Sequence, residues 1–136
     1  MPRGAAVGAT TVLVVEDNDK SLKLVCTLLE LRGYATLAAR TAQEGIRHAN
    51  QHVPALILMD VQLPDLPGTE ALARLRANPR TKAIPVVAVT ALAMKGDREQ
   101  LLALGFDDYL SKPIDVRTFV DSLEPLLDRG SRHVGP

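Results

Sequence analysis

Ala55-Leu56-Ile57-Leu58-Met59-Asp60 is five apolar residues running unbroken into one carboxylate. A short continuous apolar run reads as a strand buried on both faces, the pattern of a parallel sheet covered by helices. Val61-Gln62-Leu63-Pro64 follows as a loop, so Asp60 ends the strand. In open α/β sheets, sites form just beyond the carboxyl ends of the strands. Asp60 therefore sits where chemistry is expected.

Working outward, two more apolar runs end in polar residues. Thr11-Val12-Leu13-Val14-Val15 leads into Glu16-Asp17, and Pro85-Val86-Val87-Ala88-Val89 into Thr90. A shorter segment, Asp108-Tyr109-Leu110-Ser111, leads to Lys112-Pro113. Any one of these polar residues alone reads as a helix cap or a solvated loop charge. If the strands are parallel, one edge of the sheet gathers three carboxylates, a hydroxyl and an ammonium, and four coincidences are hard to dismiss.

Helical segments lie between the strands. Asn18 or Asp19 can cap a helix over about 20–32 that Gly33 stops. Tyr34 to Ala38 reads as a second strand. Thr41-Ala42-Gln43-Glu44 is a capping-box pattern opening a helix to about Asn50. Thr69 can cap a third helix, Gly105 stops a fourth begun near Gly96, and Asp115 can cap a fifth, which Pro125 should bend. The repeated β-α pattern with right-handed crossovers gives an α/β doubly wound five-stranded parallel sheet with helices on both faces. Order 2-1-3-4-5 puts Glu16, Asp17 and Asp60 side by side at the switch point, an order inferred partly from their chemistry.

Composition narrows the function. A chain of 136 residues suits one domain, read here as 11–127 between a loose Gly/Ala-rich start at 1–10 and a frayed tail at 128–136. Aromatics are only 3%, so the core must be aliphatic. Lys+Arg and Asp+Glu are both 16, against a nucleic-acid binder that works by a broad basic surface. A lone cysteine, Cys26, excludes an internal disulfide and a multi-cysteine zinc site, and its place among Leu and Val predicts packing. No apolar run suits a membrane span and no secretory signal opens the chain, so the cytoplasm is the expected compartment. His48, His52 and His133 fall at no strand end, and no phosphate-binding glycine loop occurs.

Clustered carboxylates repel and are best tolerated with a cation. Oxygen-only ligands suit Mg²⁺, which accepts phosphate oxygens, and Mn²⁺ is the ready substitute. A carboxylate beside such an ion can attack phosphorus, while Lys112 and Thr90 hold the remaining oxygens. A small Mg²⁺-dependent phosphatase with an aspartate nucleophile is the alternative; it needs a second Asp as general acid, and Asp65 is the nearest candidate.

Val12-Leu-Val-Val-Glu16-Asp17-Asn18, Leu56-Ile-Leu-Met-Asp60-Val-Gln62-Leu-Pro64, Val89-Thr90-Ala91 and Tyr109-Leu-Ser-Lys112-Pro113 occur in this order. Together they resemble the receiver domain of bacterial two-component response regulators, a flavodoxin-like fold, from about Thr11 to Leu127. Ala91 to Asp97 is similar to stand-alone DivK-type regulators and to receivers of hybrid kinases. The resemblance implies a phosphoacceptor module rather than an enzyme, though one that assists its own phosphorylation and dephosphorylation. Asp60 would take phosphate from a sensor histidine kinase or a histidine phosphotransfer protein, as a switch or a relay shuttle. Glu16, Asp17, Asp60 and the backbone carbonyl of Gln62 would surround the metal. Lys112, joined to Pro113 by a cis peptide, would pair with the phosphoryl group. Thr90 would move toward it and Tyr109 would turn inward as the switch. Gln62 and Leu92 occupy positions where the family varies and tunes phosphoryl lifetime. No output domain is expected in the segment after the fifth helix, so signalling by protein binding, with a homodimer among the options, or excision from a longer protein is implied. Neither nucleic acid nor membrane is an expected partner.

Overall fold

The computed structural model describes residues 10–91 and 97–134. The expectations for the Gly/Ala-rich start, for Leu92, for Gly96 and for the His133 side chain fall outside what is described. Five strands, β1 (Thr11–Val15), β2 (Ala35–Ala39), β3 (Leu56–Asp60), β4 (Val86–Thr90) and β5 (Asp108–Ser111), form one parallel sheet in the order β2-β1-β3-β4-β5. The helices are α1 (Asp19–Leu31), α2 (Ala42–His52), α3 (Gly68–Ala77), α4 (Asp97–Leu104) and α5 (Phe119–Val134). The doubly wound architecture and strand order read from the sequence are those of the molecule.

Strand alternation builds two cores. Val12, Val14, Leu56, Leu58, Val87 and Val89 pack against Leu22, Val25 and Leu29 of α1 and Phe119, Val120 and Leu123 of α5. Leu13, Val15, Ile57, Met59, Val86 and Ala88 face Ala42 and Ala49 of α2 and Leu72 and Leu75 of α3. Every residue of β3 and β4 is buried, as their unbroken apolar runs require. Cys26 is half-buried against the first of these cores. Burial raises its thiol pKa despite a hydrogen bond with Thr36, so it stays a packing residue. Among the described residues no helix is long and apolar enough to cross a membrane.

The helix starts differ in detail from the sequence reading. Asn18 caps α1, its Oδ1 accepting from Ser21 N–H at 2.9 Å. Tyr34 closes the end of α1 from outside it, donating its N–H to Leu29 O, and β2 begins one residue later. Thr69 does not cap α3. Pro67 holds that position with its ring-fixed φ of −59°, and its carbonyl accepts from Glu70 and Ala71 N–H. Thr69 thus falls inside the first turn. Asp115 organises a separate turn before α5, accepting from Arg117 N–H at 3.0 Å, and the helix proper begins at Phe119. It continues across Pro125 to Val134, covering 128–134, where the sequence reads as a frayed tail. Leu123 and Leu127, on either side of the proline, are both buried and hold that turn in place.

Candidate functional site: an acidic cluster at the strand ends

β1 and β3 are hydrogen-bonded neighbours in register, Val15 opposite Met59. Their next residues, Glu16 and Asp60, therefore emerge side by side at the carboxyl edge. Ligand atoms of Glu16, Asp17 and Asp60 lie within 4.8 Å of one another. Glu16 and Asp60 are buried and Asp17 is exposed, so the cluster has a deep wall and an open rim.

Each buried carboxylate is held by a backbone donor of its own loop. Asn18 N–H donates to Glu16 Oε2 at 3.0 Å, and Gln62 N–H donates to Asp60 Oδ1 at 2.8 Å. Lys112 reaches both from the end of β5: its Nζ lies 2.6 Å from Glu16 Oε1 and 3.0 Å from Asp60 Oδ2. Lys112 is placed by its N–H to Thr90 O at 2.8 Å, and the Lys112–Pro113 peptide is cis, as the resemblance implies.

One ammonium cannot satisfy three carboxylates. Burial raises the Glu16 pKa, and the charge of Asp60 adds to this; hydrogen bonds from Lys112 and Asn18 only partly offset them. For Lys112, burial acts to lower the pKa, but its bonds to Glu16 and Asp60 outweigh burial and raise it. Both shifts are upward, which favours the charged lysine and disfavours the charged glutamate, because the ammonium gains two partners while each carboxylate gets a share of one. Three carboxylates less one ammonium leave a formal excess of two negative charges. An all-oxygen set with an excess of −2 and an open side is a donor set that could hold a hard divalent cation.

Thr90 is buried at the end of β4, in register with Ser111. A cavity of about 270 Å³ beside it is lined by Val61, Gln62, Thr69, Thr90, Leu101 and Leu104. Tyr109 is half-buried on the edge strand, in register with Ala88. It lines a second cavity of about 250 Å³ with Pro113, Ile114 and Phe119. The fold thus gathers Glu16, Asp60 and Lys112 into direct contact, with Asp17 beside them at the rim, and puts Thr90 on the adjoining strand end; Tyr109 lies further back along β5.

The remaining polar candidates are occupied elsewhere. Asp65 accepts from Ala42 and Gln43 N–H at the start of α2, at 2.8 and 2.9 Å. Burial alone would raise its pKa, but several backbone donors, those of Gln43 and Ala42 foremost, together hold the carboxyl below its usual range, the wrong direction for a general acid. His48 and His52 stack on α2 with ring centroids 5.9 Å apart, and His48 Nε2 lies 3.9 Å from Glu44. The sequence reading missed two features. Asn18, read only as a cap, also orients Glu16. Gly68 lets α3 abut the Asp60 loop: a Cβ there would lie 2.6 Å from Val61 Cα and 2.9 Å from Asp60 O.

Comparison with known proteins agrees with this architecture. Residues 12–124 match the family model described as the response regulator receiver domain. The chain is 43% identical over 117 residues to the polar-differentiation response regulator DivK of Brucella ovis, covering 86% of this chain and 95% of the relative. A CheY-like response regulator receiver domain protein from Methanospirillum hungatei superposes with a TM-score of 0.82 at 28% identity, covering 93% and 99% of the two chains. The receiver domain of a sensor histidine kinase from Pseudomonas aeruginosa, solved with a magnesium ion coordinated in its active site cleft, gives 0.81 at 31% identity, covering 89% and 99%. By the family match over most of its length and its likeness in sequence to DivK, the chain belongs to the response regulator receiver domain family.

Proposed function

We propose that this protein is a phosphorylation-controlled switch of two-component signalling, with Asp60 as the phosphoacceptor. The observation that carries the reading is the Asp60 carboxylate, buried yet held between the Gln62 N–H and the Lys112 ammonium within a cluster of excess negative charge. Glu16, Asp17, Asp60 and the Gln62 carbonyl would hold Mg²⁺ or Mn²⁺. When bound, the ion offsets the charge of the incoming phosphoryl group. The magnesium-bound kinase receiver of similar sequence supports this ligand class.

The donor is a phosphohistidine of a sensor kinase or a phosphotransfer protein. An Asp60 oxygen attacks phosphorus, a P–O bond forms and the P–N bond breaks, and the imidazole leaves with a proton from solvent. The Gln62 N–H holds one carboxylate oxygen in place throughout. The Lys112 ammonium, displaced from Asp60, follows the charge onto a phosphoryl oxygen and gives a charge-assisted bond. Phosphotransfer from a phosphohistidine donor should require Mg²⁺ or Mn²⁺ and stop in excess chelator. Asp17→Ala should weaken metal affinity by about tenfold or more, since an oxygen-only site has few protein ligands to spare. Undiminished transfer in chelator would defeat this reading.

The signal is read through Thr90. Phosphorylation adds charge and strong acceptor oxygens, and the Thr90 hydroxyl satisfies one by shifting toward Asp60. That shift biases Tyr109 between ring-out and ring-in. Moving the balance from mostly out to mostly in takes about 3–5 kcal/mol, within reach of a few charge-assisted bonds. Thr90→Ala should accept phosphate at Asp60 and fail to pass it on. The check is the Tyr109 ring resonances by NMR, with and without a phosphoryl mimic, in wild type and variant. An equal response in both would remove Thr90 from the switch.

A further inference from the structure

We propose that Asp65 is a positioning residue for the acidic cluster, acting by tying the Asp60 loop to the start of α2. The inference rests on reading that cluster as a divalent-cation site. Loop 61–67 is closed on itself by the Gly68 N–H to Val61 O bond at 2.9 Å and the Gln62–Pro67 bridge. Its near end sets Gln62, whose N–H holds Asp60. At its far end both Asp65 oxygens are spent on α2, one on Ala42 N–H and one on Gln43 N–H.

The helix does not need this contact for its own start. Thr41 already supplies its hydroxyl to Glu44 N–H and its carbonyl to Gly45 N–H, a local cap. The two remaining first-turn donors could be met by water. What Asp65 adds is a link across 22 and 23 residues of chain between two loops that water cannot join. The corner before α2 also holds the other half of the cluster. Glu16 N–H donates to Ala39 O at 2.9 Å, and Arg40 Nε lies 2.7 Å from Asp19 Oδ1. Ala39, Arg40, Ala42 and Gln43 thus anchor both loops that carry the candidate ligands, and Asp65 is the side-chain tie on the Asp60 side.

Residues that orient metal ligands without touching the metal typically change affinity by about 10–100-fold when lost. Asp65 acts through one loop rather than on one ligand, so the low end applies. Mg²⁺ affinity would be measured by calorimetric titration of the intact chain with MgCl₂, alongside urea unfolding. Asp65→Ala should weaken Mg²⁺ binding by about tenfold. Asp65→Asn keeps one acceptor oxygen and should fall between the two. Thr41→Ala removes the local cap and should lower stability while leaving Mg²⁺ affinity within twofold of wild type. Asp65→Ala binding as tightly as wild type would overturn the proposal. So would Thr41→Ala losing as much affinity as Asp65→Ala, which would make helix order the cause. A wild-type chain that binds no Mg²⁺ would refute the cation-site reading itself, a different result from either.

Discussion

Asp60→Asn should abolish phosphorylation completely and yet make the metal-free protein more stable. The nucleophilic oxygen is lost, so labelling from a phosphohistidine donor should fall to background. The amide oxygen still accepts from Gln62 N–H, so the loop keeps its anchor. One of three mutually repelling carboxylates is neutralised, and the Asp60 side chain is only 8% exposed, so solvent screens little of that repulsion. The gain should be on the order of 1 kcal/mol, because the bond to Lys112 is weakened at the same time. In a domain of this size that is roughly 3 °C in melting temperature. Thermal unfolding in chelator checks the gain. A variant that still takes up phosphate would remove Asp60 from the role, and one that is less stable would show that Lys112 more than balances the cluster.

Lys112→Met should do the opposite. It leaves Glu16 and Asp60 buried beside Asp17 with no cation. Removing one partner of a buried ion pair costs about 3–5 kcal/mol. The open rim of the site lets water in, so the low end, about 3 kcal/mol, is expected in chelator. Added Mg²⁺ should return part of that loss, since a ligand that binds only the folded state stabilises it in proportion to log concentration. Urea unfolding with and without Mg²⁺ gives both numbers. Equal stability of variant and wild type in chelator would mean that Lys112 is not what holds the carboxylates together.

Much of the site was legible because it lies on the sheet's own periodicity. Unbroken apolar runs end where the strands end, so the residues after Val15, Val89 and Ser111 and the last residue of β3 could be placed on one edge without coordinates. Strand order was harder: it followed as much from asking which order brings Glu16 and Asp60 together as from the β-α pattern. What stayed hidden depends on contacts distant in the chain. Nothing local marks Asp65 as the partner of Ala42 and Gln43. Thr69 resembled a helix cap because its residue type is right, but Pro67, with fixed φ and a carbonyl that accepts from Glu70 and Ala71 N–H, had already begun the turn. The tight approach of Gly68 to Val61 is likewise a property of two packed backbones, invisible in a run of letters.

The strand order also bears on the kinetics of folding. β1 bonds directly to β2 and β3, while β4 and β5 lie together on one side of them. Lys112 follows β5, the last strand in the chain and an edge of the sheet. If folding nucleates on β1 and β3, Glu16 and Asp60 are drawn together before β5 brings their counter-charge. The repulsion that suits the finished site to a metal then belongs to the folding barrier. Relief of it at Asp60 would quicken folding, whereas loss of Lys112 would chiefly hasten unfolding. The order in which this topology closes thus divides the site between the two limbs of its kinetics: the acids act on the way in, the lysine on the way out.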